Sequence, residues 1–112
     1  MRIAVHSEVP NDPALRRDWN GLVHAMERPQ VFYTYEWAMA VQQAYRGEMP
    51  VLLLVGYEGD ALKGVAALTL DRNRKSAHLL CHTTADYCDF VSRGPDRENF
   101  VAGVLKELLR SR

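Results

Sequence analysis

The fold of this chain is limited most by its longest apolar run, Val51 to Val55. The run is too short to cross a bilayer, and it lacks the polar alternation of a half-exposed strand. Such a run is typical of a strand that is covered on both faces. Turn-forming residues follow at Glu58–Asp60, and a second apolar stretch extends from Leu62 to Leu70. The sequence therefore predicts a β-hairpin whose first strand is buried.

Two helices are predicted before the hairpin, after a short strand at Ile3–His6. Asp12 can cap the first helix and Pro13 suits its first position, while Arg28–Pro29 is expected to end it. Thr34 can cap the second helix. Apolar residues at three- and four-residue spacing define the expected buried faces, which are Leu15, Trp19, Leu22, Val23 and Met26 in the first helix and Trp37, Ala40, Val41, Ala44 and Tyr45 in the second.

Further strands and one more helix are predicted after the hairpin. Ala77–His82 and Tyr87–Ser92 are the expected strands, and Gly94–Asp96 breaks the chain where the last helix starts. The apolar face of that helix consists of Phe100, Val101, Val104, Leu105 and Leu108. The order β-α-α-β-β-β-β-α, without a linker or a repeat, predicts one domain over residues 1–112. Its class is α+β or mixed α/β, with a mostly antiparallel sheet packed by helices.

Composition and charge exclude several classes of function. Apolar residues form 47% of the chain and charged residues 25%, which is ordinary for a globular domain. The 14 basic residues balance the 14 acidic ones, so binding to nucleic acid or to an anionic membrane is not expected. The first residues are too mixed for a signal peptide, and a cytoplasmic protein is expected. In that compartment Cys81 and Cys88 are expected to be reduced thiols.

Polar residues that could carry chemistry lie near the last two predicted strands. His82 is close in sequence to Asp86 and Asp89, and a histidine paired with a carboxylate can act as a general base. The two carboxylates flank Tyr87 and could hold a substrate amine and take its proton. The alternative is structural, because a histidine at a strand end can bond locally and aspartates can stabilise a turn.

Two aromatic residues could line a pocket for an acceptor substrate. Tyr33 precedes the second predicted helix, and Trp37 lies in its first turn. A tryptophan in an amphipathic helix suits the protein core equally well, so both interpretations stay open. The chain has no Walker loop, Rossmann fingerprint, Gly-x-Ser-x-Gly or His-Glu-x-x-His motif, which ranks nucleotide binding last among the hypotheses.

Three segments resemble motifs of GNAT-type acyltransferases, in particular the FemAB-like and CelD-like acetyltransferases. Val31–Trp37 is similar to the Phe-x-(Ser/Thr)-x-x-Trp start of that family's second helix. Gly64–Leu68 resembles its Gly-x-x-x-Leu hairpin segment, and Ala85–Phe90 resembles its (Ser/Ala)-Asp-Tyr-x-Asp stretch. The resemblance covers Trp19 to about Leu109. It implies the front of the GNAT fold, which is a first strand, two helices, three strands and a helix.

The resemblance also implies an activity and a site. A complete enzyme of this kind would move an acyl group from acyl-CoA, or an aminoacyl group from a tRNA carrier, to an amine. The acceptor would be a small-molecule or peptide amine. The candidate residues near the acceptor are Asp86, Asp89 and His82 for catalysis and Tyr87, Trp37 and Tyr33 for substrate binding.

The chain departs from the family at the donor site. GNAT enzymes hold the acyl-CoA pyrophosphate on a Gly-rich turn at the start of a helix, where backbone N–H groups face the phosphates. None of the seven glycines of this chain forms such a turn. The chain is therefore expected to be the N-terminal portion of such an enzyme, to bind no cofactor itself and to be inactive alone. Its partner would be the C-terminal half of the same protein or a second copy. The alternative function is a non-catalytic GNAT-like module for interaction or dimerisation.

Overall fold

A computed structural model describes residues 1–71, 76–80 and 89–110. The described part is an α+β fold with three helices, one 3-10 helical turn and a five-stranded sheet. The elements in chain order are β1 (Arg2–His6), α1 (Pro13–Ala25), the 3-10 turn (Val31–Tyr33), α2 (Tyr35–Ala44), β2 (Val51–Glu58), β3 (Ala61–Asp71), β4 (Ser76–Leu79), β5 (Val91–Ser92) and α3 (Gly94–Arg110). The predicted order of helices and strands is confirmed for these residues.

The sheet is built around the predicted hairpin. Its strand order is β1-β2-β3-β4, with β5 also paired to β3, and each strand pair in the described part is antiparallel. β2 and β3 join through Gly59 and Asp60, and Gly59 has a φ of 60°, a conformation that glycine adopts without strain. The hairpin therefore lies in the middle of the sheet.

Helices cover both faces of the hairpin. Leu53 and Val55 pack with residues of α1 and α2, whereas Leu54 packs with α3. Because side chains of a strand point alternately to opposite faces, a continuous apolar run is what two covered faces require. The three side chains are at most 1% exposed. The prediction of a strand covered on both faces is confirmed.

The start of each N-terminal helix follows its predicted cap. Asp12 Oδ1 accepts hydrogen bonds from the backbone N–H groups of Ala14 and Leu15, at 3.0 and 3.3 Å. Thr34 Oγ1 accepts one from the N–H of Trp37 at 3.2 Å. The first helix ends at Ala25, three residues before Arg28, so the predicted end was too late.

α2 is rotated from its predicted orientation, although Val41 is buried as predicted and Trp37 and Tyr45 are half-buried against the core. The exposed positions include Ala40 and Ala44, and the buried ones are Tyr35, Ala38, Val41 and Gln42. The Gln42 amide exchanges two hydrogen bonds with the backbone of Val9, at 2.6 and 3.1 Å, and the Tyr35 hydroxyl donates to the carbonyl of Pro10 at 2.5 Å. These bonds set the rotation of the helix. Since they are long-range and polar, apolar spacing alone could not predict it.

A pair of glycines makes room for the largest buried side chain of α3. Gly56 of β2 and Gly64 of β3 are register partners, and the Phe100 ring lies against both. A Cβ atom at Gly56 would come within 2.7 Å of Phe100 Cδ1, and one at Gly64 would overlap the ring. Glycine at these positions therefore lets the helix approach the sheet closely.

The outer face of α3 carries apolar residues that the sheet does not cover. Phe100 and Val104 are fully buried, as predicted, but Leu105 is 55% exposed. A residue one position beyond Val104 lies about 100° further round the helix, which turns Leu105 away from the sheet. Its predicted burial is wrong. No helix in the described part of the chain is long and apolar enough to cross a membrane.

Candidate functional site

A cavity lies between α2 and the sheet. It is near the place on β3 where the neighbouring strand changes from β5 to β4. β3 pairs with β5 at Gly64–Val65 and with β4 at Leu68–Asp71. Leu80 and Asp89, the described residues that flank 81–88, both line the cavity. Much of the remaining wall is aromatic and comes from Trp19, Phe32, Tyr33 and Trp37.

The enclosed part of this cavity is small. It has a volume of about 20 Å³, which is enough room for one water molecule. A ligand larger than a water molecule must therefore displace side chains of the wall to enter it.

The 3-10 turn and the first turn of α2 form the aromatic wall. Phe32 meets Trp37 edge to face, with ring centroids 4.9 Å apart. The indole N–H of Trp19 donates to the carbonyl oxygen of Tyr33 at 2.8 Å, which ties the 3-10 turn to α1. Thr34 lies between the 3-10 turn and α2, where it caps α2 and fixes the backbone of Trp37. The wall is thus held from two helices rather than by one flexible loop.

Trp37 brings an unused hydrogen-bond donor to this wall. Its Nε1 atom is buried from solvent and has no hydrogen-bond partner among the described residues. The chain's other tryptophan, Trp19, is almost fully buried and has its indole N–H bonded. Buried donors are nearly always paired in folded proteins, so the unmet N–H of Trp37 marks the site as unusual.

Asp89 is the one charged residue of the described cavity wall. Its Oδ1 accepts two hydrogen bonds, from Arg97 Nη2 at 2.6 Å and from the backbone N–H of Phe90 at 2.8 Å. Its Oδ2 accepts none from a described residue. The Asp89 side chain is 41% exposed. The hydrogen bonds that described residues donate to this carboxylate therefore all reach one oxygen, Oδ1.

The structure brings together three of the predicted site residues. Tyr33, Trp37 and Asp89 line the same cavity although Asp89 is more than fifty residues from the other two. The other predicted site residues, His82, Asp86 and Tyr87, lie outside the described residues, as do both cysteines. The described residues contain no group of three or more His, Cys, Asp or Glu side chains that could hold a metal ion.

Two contributors to the site were missed from the sequence. Phe32 packs on Trp37, and Arg97, in the first turns of α3, positions Asp89. Arg97 follows the helix break at Gly94–Asp96, and a basic residue beside an N-terminal helix turn is not favoured by the helix dipole. The unfavourable position of Arg97 was the signal in the sequence. The fold then shows that Asp89 is the carboxylate that compensates for it.

A second, polar groove between α1 and α2 has a volume of about 310 Å³. Both oxygens of its Glu36 carboxylate are occupied, by Asn20 Nδ2 at 2.7 Å and by Arg16 Nε at 3.2 Å. The hydrogen bond from Asn20, with a smaller contribution from the Arg16 charge, holds the pKa of Glu36 below its ordinary value. The Glu36 carboxylate of this groove is therefore already paired within the chain.

The chain was compared with known protein families, curated proteins and solved structures, and none of them matches it.

Proposed function

We propose that this chain forms the acceptor-binding front portion of a GNAT-type N-acyltransferase and that the cavity between α2 and β3 receives the acceptor amine. The observation that carries the proposal is the Asp89 carboxylate, which lines the same cavity as Tyr33 and Trp37 and receives hydrogen bonds from described residues at Oδ1 alone.

The chemistry of an amine matches this wall. A protonated amine has only hydrogen-bond donors and a positive charge, so a carboxylate oxygen and aromatic faces attract it. Acyl transfer then requires the neutral amine: its nitrogen lone pair attacks the thioester carbonyl carbon, the C–N bond forms, the C–S bond breaks and the thiolate leaves. The proton that the amine loses must go to a base. Asp89 is suited to hold the amine and to accept that proton.

The architecture supports the same proposal. A first strand, two helices, a run of antiparallel strands and a helix follow one another in the order that the GNAT resemblance implies. The short strand β5, which pairs with β3 before α3 begins, is one strand more than the three that the resemblance implies. The sequence offers no Gly-rich turn at a helix start for acyl-CoA, so the donor is expected to be held by residues outside this chain.

The test is a titration of the chain with isopropylamine, followed by the backbone amide signals in NMR. We expect saturable shifts around Asp89, and we expect Asp89→Asn to weaken binding about tenfold, because a charge-assisted hydrogen bond becomes a neutral one.

The matched control is Asp18→Asn. Asp18 is an acid on α1 whose side chain is 42% exposed, pairs with Arg17 at 3.1 Å and does not line the cavity. This variant should bind the amine as the unchanged chain does. No binding by the unchanged chain, or equal binding by Asp89→Asn, would contradict the proposal.

A second candidate function, a dimerisation module, is favoured by one observation. Leu105 and Leu109 lie four residues apart on α3 and are 55% and 69% exposed. Such a pair lies on one side of a helix and could contact a second copy. Light scattering across micromolar concentrations would detect a dimer that Leu105→Lys abolishes, whereas a monomer at every concentration would reject this function.

A further inference from the structure

Asn20 joins α1 to the start of α2 through its side-chain amide. Its Oδ1 accepts a hydrogen bond from the backbone N–H of Tyr35 at 3.0 Å, and its Nδ2 donates one to Glu36 Oε1 at 2.7 Å. Tyr35 is the first residue of α2, so its N–H has no acceptor within that helix. Both ends of one half-buried amide therefore hold the first turn of α2, and the bond to Glu36 requires the amide nitrogen.

The residue after Asn20 is a glycine that packing does not explain. Gly21 lies inside α1, is exposed and has no atom within 4 Å of the position that a Cβ would take. Its backbone is helical without a positive φ, so no special conformation requires glycine either. A glycine inside a helix is less favourable than an alanine. What glycine adds here is chemical, because no side chain hinders attack by its nitrogen on the amide of the preceding asparagine.

We propose that Asn20 is a site of spontaneous deamidation, at which local opening of α1 converts the amide that holds α2 into an acid that releases it. The backbone nitrogen of Gly21 attacks Asn20 Cγ and a C–N bond forms, which closes a succinimide ring. The bond from Cγ to Nδ2 breaks, and the Gly21 amide proton leaves with Nδ2 as ammonia. Water then opens the ring at either carbonyl and leaves aspartate or isoaspartate.

The closed helix protects Asn20 from this reaction. Within α1 the N–H of Gly21 donates to the carbonyl oxygen four residues earlier, so its nitrogen is engaged. The bonds to Tyr35 and Glu36 hold the Asn20 amide toward α2 at the same time. The reaction therefore proceeds through local opening of α1, and its rate follows the fraction of time that the helix is open.

The product does not restore the contact between the helices. An aspartate in place of Asn20 has no donor for Glu36 Oε1 and adds a second negative charge beside it. Arg16 Nε already bonds Glu36 Oε2 at 3.2 Å, so one positive charge faces two carboxylates. Isoaspartate also lengthens the backbone of α1 by one carbon, which interrupts its hydrogen-bond ladder. The modified α1 therefore holds the start of α2 less well.

The first experiment incubates the chain at mildly alkaline pH, folded and in concentrated urea, and follows the mass of the peptide that contains Asn20. We expect conversion in urea, and conversion at least about tenfold slower in the folded chain. Asn11 and Asn99 are internal controls, because residues with side chains follow them. Gly21→Ala is the matched variant, and it should slow the conversion in urea about tenfold.

The second experiment measures the consequence for stability. Asn20→Asp should lower the midpoint of thermal unfolding by about 4 °C, because a hydrogen bond is lost and two carboxylates face each other. Adding Glu36→Gln should recover at least about half of that loss, since the new amide can donate to the new carboxylate. Glu98→Gln, at an exposed acid of α3, is the control and should recover none of it.

Equal rates in the folded chain and in urea would overturn the inference, as would the absence of conversion in urea. An Asn20→Asp chain as stable as the unchanged one would overturn it too, and so would a loss that Glu36→Gln leaves unchanged. These results are independent of the proposed function, because neither Asn20 nor Glu36 lines the cavity at Asp89.

Discussion

The two tryptophans of the chain show how differently one residue type can be used on the same cavity wall. Trp19 is 1% exposed, and its N–H joins α1 to the 3-10 turn through Tyr33 O. Trp37 is half-buried and meets Phe32 edge to face, and its N–H has no hydrogen-bond partner among the described residues. The first arrangement stabilises the ligand-free fold. In the second arrangement the indole N–H of Trp37 makes no hydrogen bond to a described residue.

This difference predicts unequal costs for the same substitution. Trp19→Phe removes a core contact and a buried hydrogen bond, and we expect a loss of about 3 kcal/mol in the free energy of unfolding. Trp37→Phe removes packing area together with an unmet donor, so these effects offset each other and the loss should be about 1 kcal/mol or less. Urea unfolding of both variants measures the difference. A Trp37→Phe loss as large as that of Trp19→Phe would mean that the N–H is satisfied in solution.

The close contact of α3 with the central hairpin depends on two glycines that face each other. Gly56 and Gly64 leave a space that the Phe100 ring fills, with Phe100 fully buried. This contact matters for the site because α3 also carries Arg97, which orients Asp89. Displacement of the helix should therefore disturb the position of Asp89 as well as stability.

Gly64→Ala tests the contact. The added methyl group overlaps the Phe100 ring, and we expect a loss of about 1–3 kcal/mol in the free energy of unfolding. Gly21→Ala is the matched control: no atom lies within 4 Å of a Cβ there and the residue is exposed on α1, so a gain of about 0.5–1 kcal/mol is expected. The double variant Gly64→Ala/Phe100→Leu should lose less than the sum of its single changes. Additive losses would show that the ring does not fill the space.

The positions of helices and strands were easier to predict from the sequence than the rotation of a helix about its own axis. The caps Asp12 and Thr34 and the run Val51–Val55 act locally or through simple alternation, so they predicted helix starts and a strand covered on both faces. The buried face of α2 depends instead on hydrogen bonds between Gln42 and the distant Val9. Spacing of apolar residues cannot reveal a polar contact between segments 33 residues apart.

The molecule as a whole is a sheet with helices on both faces and an acidic, aromatic cavity at the edge of β3. The sequence predicted that Tyr33, Trp37 and Asp89 contribute to one site, and they line one cavity. It did not predict that Arg97 binds Asp89 Oδ1, because that depends on how α3 approaches the end of the cavity. The assignment of the chain to an acyltransferase and of His82, Asp86 and Tyr87 to its site stays a prediction.

We propose that this chain holds the acceptor and that the acyl donor is held elsewhere. A thermal-shift titration with isopropylamine and, separately, with acetyl-CoA tests both parts. At a hundredfold excess over the dissociation constant a bound ligand stabilises the fold by about 2.7 kcal/mol, which raises the midpoint of a domain of this size by about 10 °C. We expect such a saturable rise with the amine and none with acetyl-CoA. A saturable rise with acetyl-CoA, or none with the amine, would contradict the account.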